Sequence, residues 1–179
     1  MLRLAMPSDA PAIARVHVAS WRTTYRGLLP DAYLAAMDVD DYAGRWERSL
    51  RSPLTPAVVL VAEAEGEVVG FASAGPERDG DRRYEGELYA IYLLRDFQGR
   101  GLGRALVEAA ATDLAGRGIT SMAVWVLRDN LAARGFYERL GGVYLREREL
   151  DLGPDCDVDA PEVAYLWSDI RALTPSGEP

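Results

Sequence analysis

Cysteine and histidine are nearly missing from this chain: His17 and Cys156 each stand alone among 179 residues. One cysteine excludes an intrachain disulfide framework, and one histidine beside it offers no ligand set for a structural zinc; no metal is expected. Positive charge is short as well. With 20 Lys and Arg against 28 Asp and Glu, the formal charge is −8, so the average surface repels phosphate backbones. Arg82, Arg83, Arg100 and Arg104 are the only material for a local basic patch. Long apolar runs are absent too. The opening MLRLAMPSDAP meets Ser, Asp and Pro too early for a signal-peptide core, and no segment reaches the ~18 apolar residues of a bilayer span. These absences argue against nucleic acid, membrane and export, and point to a cytoplasmic, reducing setting.

What remains reads as alternating elements. Leu2 to Met6 suits a short strand, Pro7, Ser8 and Asp9 mark a helix start, and Ile13, Val16, His17, Ser20 and Trp21 recur at helical spacing. Gly27 ends that helix, a short one follows over Asp31 to Met37, and Tyr42, Trp46 and Leu50 share a face of a third. Strands at Ala57 to Ala64 and Val68 to Ala74 make a hairpin around Glu65 to Glu67. The polar run PERDGDRR is a loop, and Glu85 to Leu94 the next strand. A helix over Gly101 to Leu114, a strand in ITSMAVWVL, a helix in NLAARGFYERLG and a strand in GVYLREREL follow. After the loop DLGPDCDVDAP a last strand spans Glu162 to Trp167. The order predicts a mixed α/β (α+β) fold, a sheet covered by helices, in one domain over residues 1–170, with 171–179 as a frayed tail.

The run Gln98-Gly99-Arg100-Gly101-Leu102-Gly103 lies between a strand and a helix. Free amides at a helix start, unobstructed by Cβ atoms, suit an anion such as a diphosphate. A P-loop would carry Lys and then Ser or Thr after the glycines, where this chain has Arg104 and Ala105. A dinucleotide fold would end its next strand on a carboxylate, where this chain has Val126 and Leu127.

Gln98-x-x-Gly101-x-Gly103 after ELYAIYLLRDF, together with Asn130 and FYERLGG, resembles the acyl-CoA signature of the GNAT (GCN5-related N-acetyltransferase) superfamily over about residues 2 to 168. The resemblance implies a central, mixed, mostly antiparallel sheet whose two parallel central strands splay apart to admit the pantetheine arm of acetyl-CoA. It implies pyrophosphate binding by amides of Gln98, Gly99, Arg100, Gly101, Leu102 and Gly103, with Arg100 and Arg104 adding charge. Donors near Ile91, Tyr92 and Leu93 would face the thioester, and Asn130 would touch the pantetheine while capping its helix.

Transfer of the acetyl group to an amine releases CoA and requires a base for the amine and an acid for the sulfur. By resemblance the acid is Tyr137 and the base Glu87, acting directly or through water; Glu85, two residues earlier, is expected on the same strand face as a catalytic carboxylate that cooperates or exchanges roles with it. Trp21, Tyr25 and Tyr89 would wall the acceptor pocket, and Arg26 would hold an acceptor carboxylate or a loop. His17 reads as a packed residue and Cys156 as incidental. The expected partner is a small-molecule or peptide amine. The alternative is a noncatalytic acyl-CoA sensor. A homodimer is expected, with PEVAYLWSD as an apolar sheet edge.

Overall fold

The computed structural model describes residues 1–52, 54, 56–150 and 160–174; Cys156 and the tail from residue 175 lie outside them. Strand β1 (Leu2–Leu4) leads into helices α1 (Ala10–Thr24), α2 (Asp31–Ala36) and α3 (Val39–Arg51). The hairpin β2 (Val58–Ala64) and β3 (Glu67–Pro76) and strand β4 (Gly86–Leu93) come next. Then follow α4 (Leu102–Gly116), β5 (Met122–Leu127), α5 (Leu131–Arg139), β6 (Val143–Glu149) and β7 (Pro161–Trp167). None of the helices among the described residues is long and apolar enough to cross a membrane.

The strands form one sheet in the order β1-β2-β3-β4-β5-β7-β6. All neighbours are antiparallel except β4 and β5. Alternation along β2 splits its side chains between two cores, as the two-residue period of a strand requires. Leu60 and Ala62 face the apolar stripe of α4, whose Leu106, Val107, Ala110, Ala111 and Leu114 are buried. Val59 and Val61 meet Ile13 and Val16 of α1 on the opposite face, with Phe71 between them. Asp38 starts α3 by accepting hydrogen bonds from the Asp40 and Asp41 amides at 2.9 and 3.0 Å.

Two expectations need correction. Strand β7 is no edge: it pairs with β5 on one side and β6 on the other, which is why its residues are so apolar. The outer strand on that side is β6, where Val143 and Tyr144 are exposed. The C-terminal boundary also moves, because Ile170–Leu173 form a 3-10 turn with Ile170 and Leu173 buried in the main core.

The feature that positions the site is an early parting of β4 and β5. Their parallel pairing covers only Gly86 to Leu88 against Met122 to Val124. Beyond it β4 stays bonded to β3 through Leu93, and β5 to β7 through Leu127, so each strand has a free backbone edge on the side facing the gap. A register shift opposite Ser73 and Ala74 leaves Tyr89 as the extra residue of β4, a bulge that bends the strand at the point of parting.

Candidate functional site

A cavity of about 760 Å³ runs from the start of α4 into the gap. At its outer end Gly99 and Gly101 have φ of 71° and 83°, left-handed conformations that glycine adopts without strain. A Cβ at either would meet no atom within 4 Å, so open space lies before the turn. Among the described residues the amides of 99 to 104 donate no backbone hydrogen bond, as expected of a helix start with no capping side chain. Gln98 is fixed by donating from Nε2 to the Leu93 carbonyl at 3.0 Å. Gly103 is a glycine of packing: a Cβ there would stand 3.3 Å from the Phe136 ring and 3.4 Å from Leu93.

Arg95, Arg104 and Arg139 line this cavity, while Arg100 instead lies over the Phe97 ring, 5.1 Å from its centre, and Leu102 lies outside the lining. The turn can thus offer an anion both amide donors and guanidinium charge. Replacing Gly101 by Ala is expected to lower stability by ~1 kcal/mol from left-handed strain and to weaken CoA binding, checked by thermal melting and calorimetry.

Deeper in, Ile91, Tyr92 and Leu93 form one wall, with Val124, Trp125 and Val126 opposite. Helix α5 closes the floor: Asn130, Ala133, Phe136 and Tyr137 recur every three or four residues and so share one face. Asn130 caps that helix, its Oδ1 accepting from the Ala133 amide at 3.2 Å. The Tyr137 ring packs near Phe136, Tyr165 and Trp167, and no described side chain or carbonyl hydrogen-bonds its hydroxyl. Burial raises its pKa, with the charge of Tyr25 adding to the effect, so at neutral pH it is an uncharged donor.

A second cavity of about 210 Å³ adjoins the first; Tyr25, Leu88, Tyr89, Tyr92, Trp125 and Val126 line both. The Tyr25 and Tyr92 hydroxyls are hydrogen-bonded at 3.2 Å between them, and burial lifts the Tyr92 pKa well above 10. Trp21, Leu29 and Leu150 supply apolar wall, and Glu87 and Glu162 bring carboxylates. Arg78 grips Glu87 at 2.6 Å and stacks on Tyr89 at 4.0 Å. Arg148 lies 3.8 Å from the Trp125 ring centre and donates to Glu162 at 2.6 Å.

Of the residues singled out in the sequence, Trp21, Tyr25, Tyr89 and Glu87 therefore meet at the smaller cavity, and Tyr137, Asn130 and most of the glycine turn at the larger. Glu85 does not join them. It precedes β4, and its carboxylate accepts from the Thr120 amide and hydroxyl at 2.7 and 2.9 Å, away from both cavities. Arg26 is exposed and lines neither. His17 is packed, stacked on Tyr92 with ring centres 5.2 Å apart and accepting from Trp46 at 3.3 Å. Arg78, Arg148 and Glu162, from a loop and two late strands, also line the smaller cavity without any local sequence signal. Their spacing in sequence carries no sign of their meeting; only the folded sheet assembles them.

A model of the acetyltransferase (GNAT) family matches residues 19–142. The uncharacterized N-acetyltransferase YuaI of Bacillus subtilis is 38% identical over 173 residues, 96% of this chain and 95% of its own. Among solved structures, the PaiA N-acetyltransferase of Thermoplasma acidophilum in complex with coenzyme A superposes with a TM-score of 0.70 at 19% identity, covering 92% of this chain and 96% of that one. The structure of yncA from Salmonella typhimurium with acetyl-CoA gives 0.67 at 22%, covering 100% and 96%. These two likenesses are of fold.

Proposed function

This chain belongs to the GNAT acetyltransferase family, and we propose that it moves an acetyl group from acetyl-CoA to a primary amine by direct transfer between two bound substrates. The observation that carries the reading is the junction of the two cavities at the parting of β4 and β5, one ending in free helix-start amides and the other in carboxylates. Two of the fold's neighbours hold CoA or acetyl-CoA, which supports the larger cavity as the cofactor's.

The residues present fit that cofactor. Amides of Gly99 to Gly103 with Arg95 and Arg104 would hold the pyrophosphate, and the free edge of β4 at Ile91 to Leu93 would pair with the pantetheine amides. Acetyl-CoA supplies the activated thioester. A backbone donor at that edge would bind the carbonyl oxygen as it gains charge. The amine would enter through the smaller cavity, lose a proton toward a carboxylate there, and attack. Tyr137 would hydrogen-bond the departing sulfur and yield its proton as the thiolate forms.

The test is thiol release from acetyl-CoA with mass detection of product across a panel of primary amines. The chain has no lysine, so its own side chains offer no competing acceptor. Turnover of one amine class supports the reading; tight acetyl-CoA binding without product from any amine would favour a sensor. We also propose a homodimer, now with the exposed edge of β6 as the candidate contact; a monomeric mass in solution would defeat it.

A further inference from the structure

The smaller cavity holds two carboxylates, and they differ in what their oxygens already do. Both oxygens of Glu87 accept from Arg78, at 2.6 and 3.3 Å. Glu162, on β7 opposite Leu127, is 6% exposed and accepts from Arg148 through Oε1 alone at 2.6 Å. No described group donates to its Oε2. A buried carboxylate with a spare oxygen on a cavity wall calls for a donor from whatever fills the cavity.

A carboxylate oxygen only accepts, and a cationic N–H is the donor it binds most strongly. Arg148 is shared between Glu162 and Asp79, and Arg78 is held by Glu87. Arg146, 4.7 Å from the Trp125 ring centre, is held with Arg83 by Asp81, so among the described residues the guanidiniums near the cavity are all engaged and the spare Glu162 oxygen has none of its own. Tyr89 and Trp125 already carry the Arg78 and Arg148 guanidiniums, and Trp21 and Tyr25 complete the wall as aromatic surface suited to a cation with an apolar body.

We propose that Glu162 is the residue that receives the acceptor, and that the acceptor is a primary amine carrying a single positive charge on an apolar or aromatic body. This rests on the transferase reading above. The ammonium docks on Glu162 Oε2 and passes its proton to that oxygen. The freed nitrogen lone pair forms the bond to the acetyl carbon, and the C–S bond breaks with its electron pair on sulfur. The thiolate takes a proton, and the nitrogen's second proton leaves to solvent. Arg78 keeps Glu87 as a neutralised wall.

Burial raises the Glu162 pKa, opposed by Arg148 and reinforced by Glu87 and Asp79. The groups facing it are Arg148 from β6, Glu87 from β4, Asp79 from the β3–β4 loop and Tyr25 from the end of α1.

The experiment uses phenethylamine as the probe, with phenylalanine as the same body bearing an added carboxylate. Thiol release is followed at saturating acetyl-CoA in wild type, Glu162→Gln, Glu162→Asp and Glu87→Gln, with acetyl-CoA affinity measured separately. Wild type is expected to acetylate phenethylamine at least ~10-fold more efficiently than phenylalanine. Glu162→Gln, whose amide oxygen still serves Arg148, is expected to lose ~100-fold in kcat/KM and the acid limb of the pH profile. Glu162→Asp recovers part of the rate, Glu87→Gln keeps the acid limb, and all variants bind acetyl-CoA as wild type does. An unchanged rate in Glu162→Gln, an acid limb lost in Glu87→Gln instead, or a preference for phenylalanine would overturn the proposal. Turnover of other amines but not of phenethylamine overturns the acceptor class alone; no turnover of any amine, with acetyl-CoA bound, overturns the transferase reading and this one with it.

Discussion

Tyr137→Phe is expected to lower kcat by ~100-fold or more while leaving acetyl-CoA affinity and melting temperature close to wild type. The asymmetry follows from where the hydroxyl sits. The ring is buried against Phe136, Tyr165 and Trp167, so Phe preserves the packing. The hydroxyl has no partner among the described residues, so its loss strands no buried donor or acceptor. Its raised pKa keeps it protonated and widens the margin by which a tyrosine already exceeds an ordinary thiol. In the proposed transfer its contribution would begin as a hydrogen bond to the developing thiolate, a contact made chiefly in the transition state, and such contacts appear in kcat. A parallel fall in cofactor affinity, or no change in kcat, would remove the tyrosine from the sulfur.

The second large effect is on stability. His17 is walled by Trp21, Tyr42, Trp46, Phe71 and Tyr92, and burial, with Arg45 adding to it, lowers its pKa from 6.5 to about 4. An unfolded chain binds a proton at this residue below 6.5, while the folded one refuses it until about 4. The neutral-His stabilisation is thus present above pH 6.5 and is lost as pH falls toward 4, by ~3 kcal/mol over that window. Glu162 offsets part of this, because a carboxylate with a raised pKa is protonated earlier in the folded state. Asp9, Asp81 and Asp169, with lowered values, act mainly below 3.8. Urea unfolding at about pH 7 and about pH 4.5 measures the loss. In His17→Gln, which does not titrate there, the pH dependence over the window should flatten; an equal slope in both proteins would refute the assignment.

The glycine turn and the helix after it were legible because their signals are local: φ requirements, a strand before and an amphipathic stripe behind. Helix α5 and its Asn130 cap were legible for the same reason, whereas Tyr137 was marked by the family resemblance. Two things were not. Period-two alternation put Glu85 and Glu87 together, but β4 starts at Gly86 and Thr120 captures the earlier carboxylate. Apolar composition marked the last strand as an exposed edge, although a strand inserted between two others is apolar for the same physical reason. Strand order is set by long-range pairing, and the charged network of Arg78, Arg148, Asp79 and Glu162 depends on that order.

Acetyl-CoA is expected to lie in the gap between β4 and β5 with its pyrophosphate on the turn before α4. Backbone amide NMR during titration with acetyl-CoA checks this placement. Large shifts are expected at Gly99, Gly101, Gly103 and Ile91 to Leu93, with small ones at Glu85 and Arg26. Saturable binding that leaves the amides of the turn and of β4 unmoved, or no binding, would contradict it.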